Sequence, residues 1–229
     1  MKKTIAILTY LSTIILYSGC SAGFYQYPRT LEEGKFEIGV GTFFSIFQVP
    51  SYIYPSYEYT NQLSFVGYPD LFLRYGISDN VDVGIRLWGL MGFLSDIKLQ
   101  FLGDKDSLFA SSADLEFGAT FVPIPTYPGT TPGGLMALSI ALLGDVMPSK
   151  DLGFYFGAKV RLTYVPSPFT YYTPNPVPPT SLGLTSIFTA GVLLLNSYNY
   201  NVIFEVNFMK SILSEKWALG PCIGVKIKF

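Results

Sequence analysis

The closing stretch Trp217–Phe229, WALGPCIGVKIKF, alternates large apolar residues with small or charged ones. In an extended strand successive side chains point to opposite faces. Trp217, Leu219, Ile223, Val225, Ile227 and Phe229 therefore share one face, and Gly220, Cys222, Gly224, Lys226 and Lys228 share the other. The first face suits hydrocarbon and the second a polar interior, which is the pattern of a strand in a transmembrane β-barrel. Pro221 interrupts the pattern; it lacks a ladder donor and predicts a bulge.

The same two-faced reading extends back along the chain. Ten strands are predicted, at 35–47, 66–77, 81–91, 94–103, 111–122, 135–147, 152–165, 181–195, 200–211 and 217–229. Most reach the ~9–11 residues that a tilted spanning strand needs. In the third, Val81, Val83, Ile85 and Leu87 oppose Asp82, Gly84 and Arg86. In the fourth, Ile97, Leu99 and Phe101 oppose Asp96, Lys98 and Gln100. In the fifth, Leu115, Phe117 and Phe121 oppose Asp114, Glu116 and Gly118. The seventh sets Phe154, Phe156, Val160 and Leu162 against Lys159 and Arg161, and the ninth sets Val202, Phe204, Val206 and Phe208 against Asn201, Glu205 and Asn207. A single alternating strand equally suits a soluble sandwich. Ten in succession, with the charges keeping to one face in strand after strand, predict a closed antiparallel up-and-down barrel, all-β. A register slip of one residue would move those charges into lipid. The sixth and eighth strands are apolar on both faces, and on periodicity alone they also read as buried helices.

Connections alternate in length. Ser78–Asn80, the region near Gly103–Ser107, Pro148–Asp151 and Asn196–Asn199 read as short links on the side of both termini. Gln48–Gln62, Pro123–Gly134 and Pro166–Thr180 read as long Tyr/Pro-rich loops on the opposite, external side. Short periplasmic turns with longer outer loops fit the barrel template. The tyrosines suit an aromatic girdle at the membrane interface or, as a second reading, a recognition surface.

The inward set holds Glu37, Asp70, Asp82, Asp96, Asp114, Glu116, Asp145 and Glu205 against Arg74, Arg86, Lys98, Lys159, Arg161, Lys226 and Lys228. The signs nearly cancel. A narrow lumen does not tolerate unpaired charge, so an ion-pair network is expected, centred on Asp82, Arg86, Asp96, Lys98, Asp114, Glu116, Lys159, Arg161 and Glu205. Barrels of this size fill their interior with side chains, and open channels need more strands.

The chain contains no histidine, which removes Ser-His chemistry. No metal-ligand spacing or phosphate-binding loop occurs, so no catalytic residue, cofactor or metal is assigned. Acidic residues outnumber basic ones, 16 to 15, and removing Lys2 and Lys3 with a leader widens the gap. Nucleic-acid binding has no electrostatic support. Charged residues make up 14%, well under the ~25% of soluble domains.

Lys2 and Lys3 followed by an apolar run to about Leu16 form an export signal. The ending Tyr17-Ser18-Gly19-Cys20 resembles a lipoprotein signal, which implies lipid attachment at Cys20; the alternative is ordinary cleavage after Ala22. The predicted organisation is 1–19 signal peptide, 20–34 periplasmic N-terminal segment and 35–229 barrel. PRTLEEGKFEIGVG (28–41), RYGISDNVDVGIRL (74–87) and IGVKIKF (223–229) resemble segments of small bacterial outer-membrane β-barrel proteins. That resemblance implies location in the bacterial outer membrane, contact with its lipid, and insertion by the barrel-assembly machinery reading the terminal Phe229. The expected function is a non-enzymatic structural barrel or a narrow porin-like passage for a small solute. The alternatives are a lipid-anchored, lipocalin-like barrel holding a hydrophobic ligand, which needs an apolar interior, and an adhesin using the Tyr/Pro loops.

Overall fold

Alternation along each strand forces the architecture. A sheet that is apolar on one face and ionised on the other can satisfy both faces and lose its edges only by closing on itself. The computed structural model describes residues 26–49, 62–88, 92–126, 129–166, 180–194, 199–211 and 218–229. The described residues form ten strands and no helix. They are β1 (Phe36–Val49), β2 (Gln62–Ser78), β3 (Val81–Trp88), β4 (Gly92–Leu102), β5 (Phe109–Thr126), β6 (Gly129–Ser149), β7 (Leu152–Pro166), β8 (Thr180–Leu194), β9 (Tyr200–Ser211) and β10 (Ala218–Lys228). Each strand pairs antiparallel with its neighbour in the chain, and β1 closes the cylinder on β10 through Glu37↔Lys228 to Ile46↔Leu219.

The two faces separate cleanly. Leu115, Ile140, Val160, Phe204 and Ile223 point outward, and Ile140 is 60% exposed. Asp82, Arg86, Lys98, Glu116 and Arg161 point inward and are at most 2% exposed. The sixth and eighth segments are strands. Their inward positions carry Ala137, Ser139, Ala141 and Leu143, and Ile187, Thr189, Gly191 and Leu193. Phe72, Ala141, Leu143, Ile187 and Cys222 form an apolar cluster inside the barrel.

Two expectations change. The outer loop at Pro123–Gly134 is largely strand, because β5 and β6 stay paired to Thr126↔Gly129. β4 stops at Thr120 and β7 at Met136, so this extension has two strands only. Proline is tolerated there because one side of each strand has no partner to bond. Pro221 makes no bulge: its ladder with β9 runs through Pro221↔Val206 without a shift. The β1 ladder skips from Phe43↔Cys222 to Ile46↔Leu219 in the same register, so the proline removes pairing without adding a residue. Residues 26–31 of the N-terminal segment fold into the short-turn end of the cylinder, where Gln26, Tyr27, Arg29 and Leu31 are buried. The signal peptide, Cys20, most of the loops Gln48–Gln62 and Pro166–Thr180, and Trp217 lie outside the described residues.

Candidate functional site in the barrel lumen

Strand pairing decides which charges meet. Arg74 on β2 faces Gly84 on β3, which faces Asp96 on β4. With no side chain at position 84, the Arg74 guanidinium and the Asp96 carboxylate meet over the glycine. A Cβ there would lie 2.7 Å from Asp96 Oδ2 and 3.0 Å from Arg74 Nη1. Arg74 Nη2 donates to Asp96 Oδ1 at 2.6 Å and also to Asp82 Oδ1, which Arg74 Nε reaches at 3.1 Å. Lys98 Nζ lies 3.1 Å from the other oxygen of Asp82.

A second group gathers on Glu116 of β5. Lys159 Nζ donates to its Oε1 at 2.5 Å, Arg161 Nη2 to its Oε2 at 3.3 Å, and Arg86 Nη2 lies 3.7 Å away. Arg161 Nε also donates to Ser139 Oγ at 3.1 Å. A third pair joins the closing strands: Lys226 Nζ donates to Glu37 Oε1 at 2.7 Å and sits 5.1 Å from the centre of the Phe72 ring, a cation–π distance.

Two members of the expected network stand apart. Glu205 accepts from the Tyr155 hydroxyl and the Asn207 amide, each at 2.7 Å. Tyr155 reaches it by lying across Gly191, where a Cβ would come within 2.3 Å of the ring. Asp114 joins no ion pair among the described residues, and neither of its buried carboxylate oxygens has a hydrogen-bond partner. Register explains this. Asp114 faces Lys98 across β4 and Ala141 across β6. Lys98 is drawn instead to Asp82 and to the carbonyls of Tyr27 and Arg29, at 3.2 and 2.9 Å.

Those carbonyls belong to the N-terminal segment, which supplies the network with further partners. Gln26 Nε2 donates to Asp96 at 3.2 Å, the Leu31 N–H to Asp82 at 3.2 Å, and the Thr30 N–H to Gln100 at 2.8 Å. Tyr27 lies beneath the ammonium groups of Lys98, Lys226 and Lys228, 5.4–5.8 Å from its ring centre. Arg29 pairs with Asp145 at 3.0 Å. Sequence reasoning missed this segment because it has no strand period. One signal was present: the inward acids exceeded the inward bases by one, and Arg29 supplies the missing cation.

Phe229 ends β10 on the outer face, 63% exposed, and its backbone pairs with Phe36. A space of about 10 Å³ lies between Gln26, Arg74, Arg86, Asp96 and Lys226, barely room for one water. A wider cavity of about 410 Å³ opens at the short-turn mouth beside Arg29, Lys105, Ser149 and Lys228. No group of acid, cysteine or histidine side chains suited to a metal occurs among the described residues. Buried, hydrogen-bonded charges of both signs in a closed cylinder, with an apolar exterior, define a transmembrane β-barrel.

No family model matches the chain, and no curated protein matches it. Solved structures match over most of its length. It is similar to an outer membrane channel from Pseudomonas putida, at 8% identity over 88% of this chain and 98% of that one, with a TM-score of 0.50. It is also similar to the N-terminal β-barrel domain of Pseudomonas aeruginosa OprF (10% identity, 87% and 100% covered, TM-score 0.36). A third is Ail, the attachment invasion locus protein of Yersinia pestis (13%, 86% and 99%, TM-score 0.35). At such identities the likeness establishes the fold alone, the closed antiparallel barrel of outer-membrane proteins.

Proposed function

We propose that this chain is an integral β-barrel of the bacterial outer membrane, without enzymatic activity, whose sealed lumen makes it a structural protein rather than a solute passage. The carrying observation is the continuity of the lumen contents. Glu116 holds three cations, the Arg74–Asp82–Asp96–Lys98 group bonds to the inserted segment 26–31, and the space left between Gln26, Arg74, Arg86, Asp96 and Lys226 is about 10 Å³. A conducting lumen keeps polar groups hydrated and leaves a path between them; here the donors and acceptors are spent largely on each other. The ionised interior also disfavours the lipocalin-like alternative, whose ligand needs apolar walls. An adhesive role would rest on the Tyr/Pro loops, of which Gln48–Gln62 and Pro166–Thr180 lie largely outside the described residues.

Phe229 is the proposed signal for the barrel-assembly machinery, and Cys20 the proposed site of a lipid anchor on the same membrane. The test is single-channel recording of the full chain in planar bilayers. Silence across the applied voltages supports a sealed scaffold, whereas regular current steps would replace it with the narrow porin-like reading.

A further inference from the structure

Arg29 is held in an unusual degree of completeness. A guanidinium carries five N–H donors in a rigid plane, and here all five are used. Nε donates to Asp145 Oδ2 at 3.0 Å, and Nη2 donates to Asp145 Oδ1 at 3.1 Å. The other Nη2 hydrogen reaches the Ser107 carbonyl at 2.7 Å, and Nη1 donates to the carbonyls of Asp104 and Lys105 at 2.7 and 2.9 Å. The side chains of Arg29 and Asp145 are 6% and 1% exposed.

The acceptors are held mainly by the strands and the turn themselves; the segment that carries Arg29 adds an exposed bond from Lys105 Nζ to Glu32 Oε1 at 3.1 Å. Asp145 sits on β6, and its Oδ1 is oriented by the Ala110 N–H on β5 at 3.0 Å. The three carbonyls belong to the β4–β5 turn, which closes on itself. Ser107 Oγ donates to Asp104 Oδ1 at 2.8 Å, and the Asp106 N–H reaches the same oxygen at 3.0 Å. Gly103 starts this turn at a φ of 76°. A planar fan of one carboxylate and three carbonyls matches a guanidinium fork; an ammonium, with three tetrahedral donors, cannot fill it.

We propose that Asp145 and the carbonyls of Asp104, Lys105 and Ser107 form a guanidinium-binding socket, with Arg29 as its resident ligand and the lock that keeps residues 26–31 in the barrel. The socket persists when Arg29 leaves, because its parts are fixed by the sheet and the turn. A vacated Asp145 is a buried, unpaired carboxylate, which strongly favours recapture of a guanidinium. The cavity of about 410 Å³ reaches Arg29 from the short-turn mouth, so a small guanidinium compound has a route in. The ligand class is therefore a free guanidinium-bearing molecule in competition with the chain's own arginine.

The test is competition by free guanidinium in the full chain in phosphatidylcholine nanodiscs. The readout is hydrogen exchange at the Thr30 and Leu31 amides, which bond to Gln100 and Asp82. Arg29→Ala is expected to lower their protection by about tenfold or more, since charge-assisted bonds are lost, while amides in β10 stay protected. In the parent chain millimolar guanidinium should compete with Arg29 and lower the protection of these two amides toward the Arg29→Ala value, and equal methylammonium or urea should not. Arg29→Lys keeps the charge, and with it the barrel, but should also loosen the segment. Unchanged protection in Arg29→Lys, no loss of protection in the parent chain with guanidinium, or an equal loss with methylammonium, would overturn the socket.

Discussion

Glu116 and Asp114 lie two residues apart on one strand face, yet the structure gives them opposite consequences. Glu116 lies 3.7 Å from Arg86, and it also holds Lys159 and Arg161, all with side chains at most 3% exposed. At contacts of 2.5–3.7 Å and an effective dielectric of about 20, each pair has a gross attraction of roughly 4–7 kcal/mol. Desolvation cancels much of this, and removing one partner of a buried pair costs about 3–5 kcal/mol because the other charges stay behind. Glu116→Gln keeps the shape and takes the negative charge away from three buried cations, so a loss of about that amount is expected. Asp114→Asn removes a carboxylate that accepts no hydrogen bond, and it should leave stability within about 1 kcal/mol of the parent. The assay is urea unfolding in lipid vesicles, followed by tryptophan fluorescence, with both variants and the double variant measured together. A loss under about 1 kcal/mol for Glu116→Gln, or a larger loss for Asp114→Asn than for Glu116→Gln, would refute the account of the lumen.

Further outcomes follow from the outer face and the short-turn end. Ile140→Arg, at mid-strand, should cost about 2–4 kcal/mol in the same unfolding assay, and Phe101→Arg, near the strand end, about 0–1 kcal/mol; equal costs would remove the lipid from the explanation. Gly103→Ala places a Cβ 2.2 Å from the Phe109 carbonyl at a positive φ, so a loss of about 1–3 kcal/mol is expected, with the Arg29 amide signal displaced in NMR spectra. The Asp104 carboxyl is held below its ordinary value by the Ser107 hydroxyl and then by the Asp106 N–H. A depressed carboxyl stabilises its turn above the ordinary aspartate range and loses that contribution as pH falls through the lowered value. The Asp106 and Ser107 amide shifts should thus stay constant from neutral pH down past the usual aspartate midpoint, then move together in stronger acid, and Asp104→Asn should abolish the transition.

Much of this fold was written in side-chain period. Val81–Leu87 and Ile97–Phe101 each carry alternation strong enough to assign both faces, because a misplaced Asp82 or Lys98 would meet lipid. Strand ends were less legible. Proline and glycine at 123–134 read as a loop, since the local chemistry of Pro123 and Pro132 says nothing of whether a third strand is present to need their missing donors. Which inward charges pair was only half legible. Alternation puts Asp114 opposite Lys98, but Lys98 also has Asp82 and two carbonyls within reach, and competition among buried partners has no signature in spacing. Residues 26–31 were illegible for a further reason: Tyr27, Pro28 and Arg29 form no regular element, and their place comes from the cavity that the closed sheet leaves at its mouth.

Spin labels carried along β5 would test the whole arrangement most directly. A nitroxide placed singly at each position from Ser111 to Gly118, in lipid bilayers, reports collision with oxygen, which concentrates in hydrocarbon. The expected trace rises at Ala113, Leu115 and Phe117 and falls at Ser112, Asp114, Glu116 and Gly118. A flat trace, or high oxygen access at positions 114 and 116, would mean that the charged face meets the bilayer and that the barrel described here is wrong.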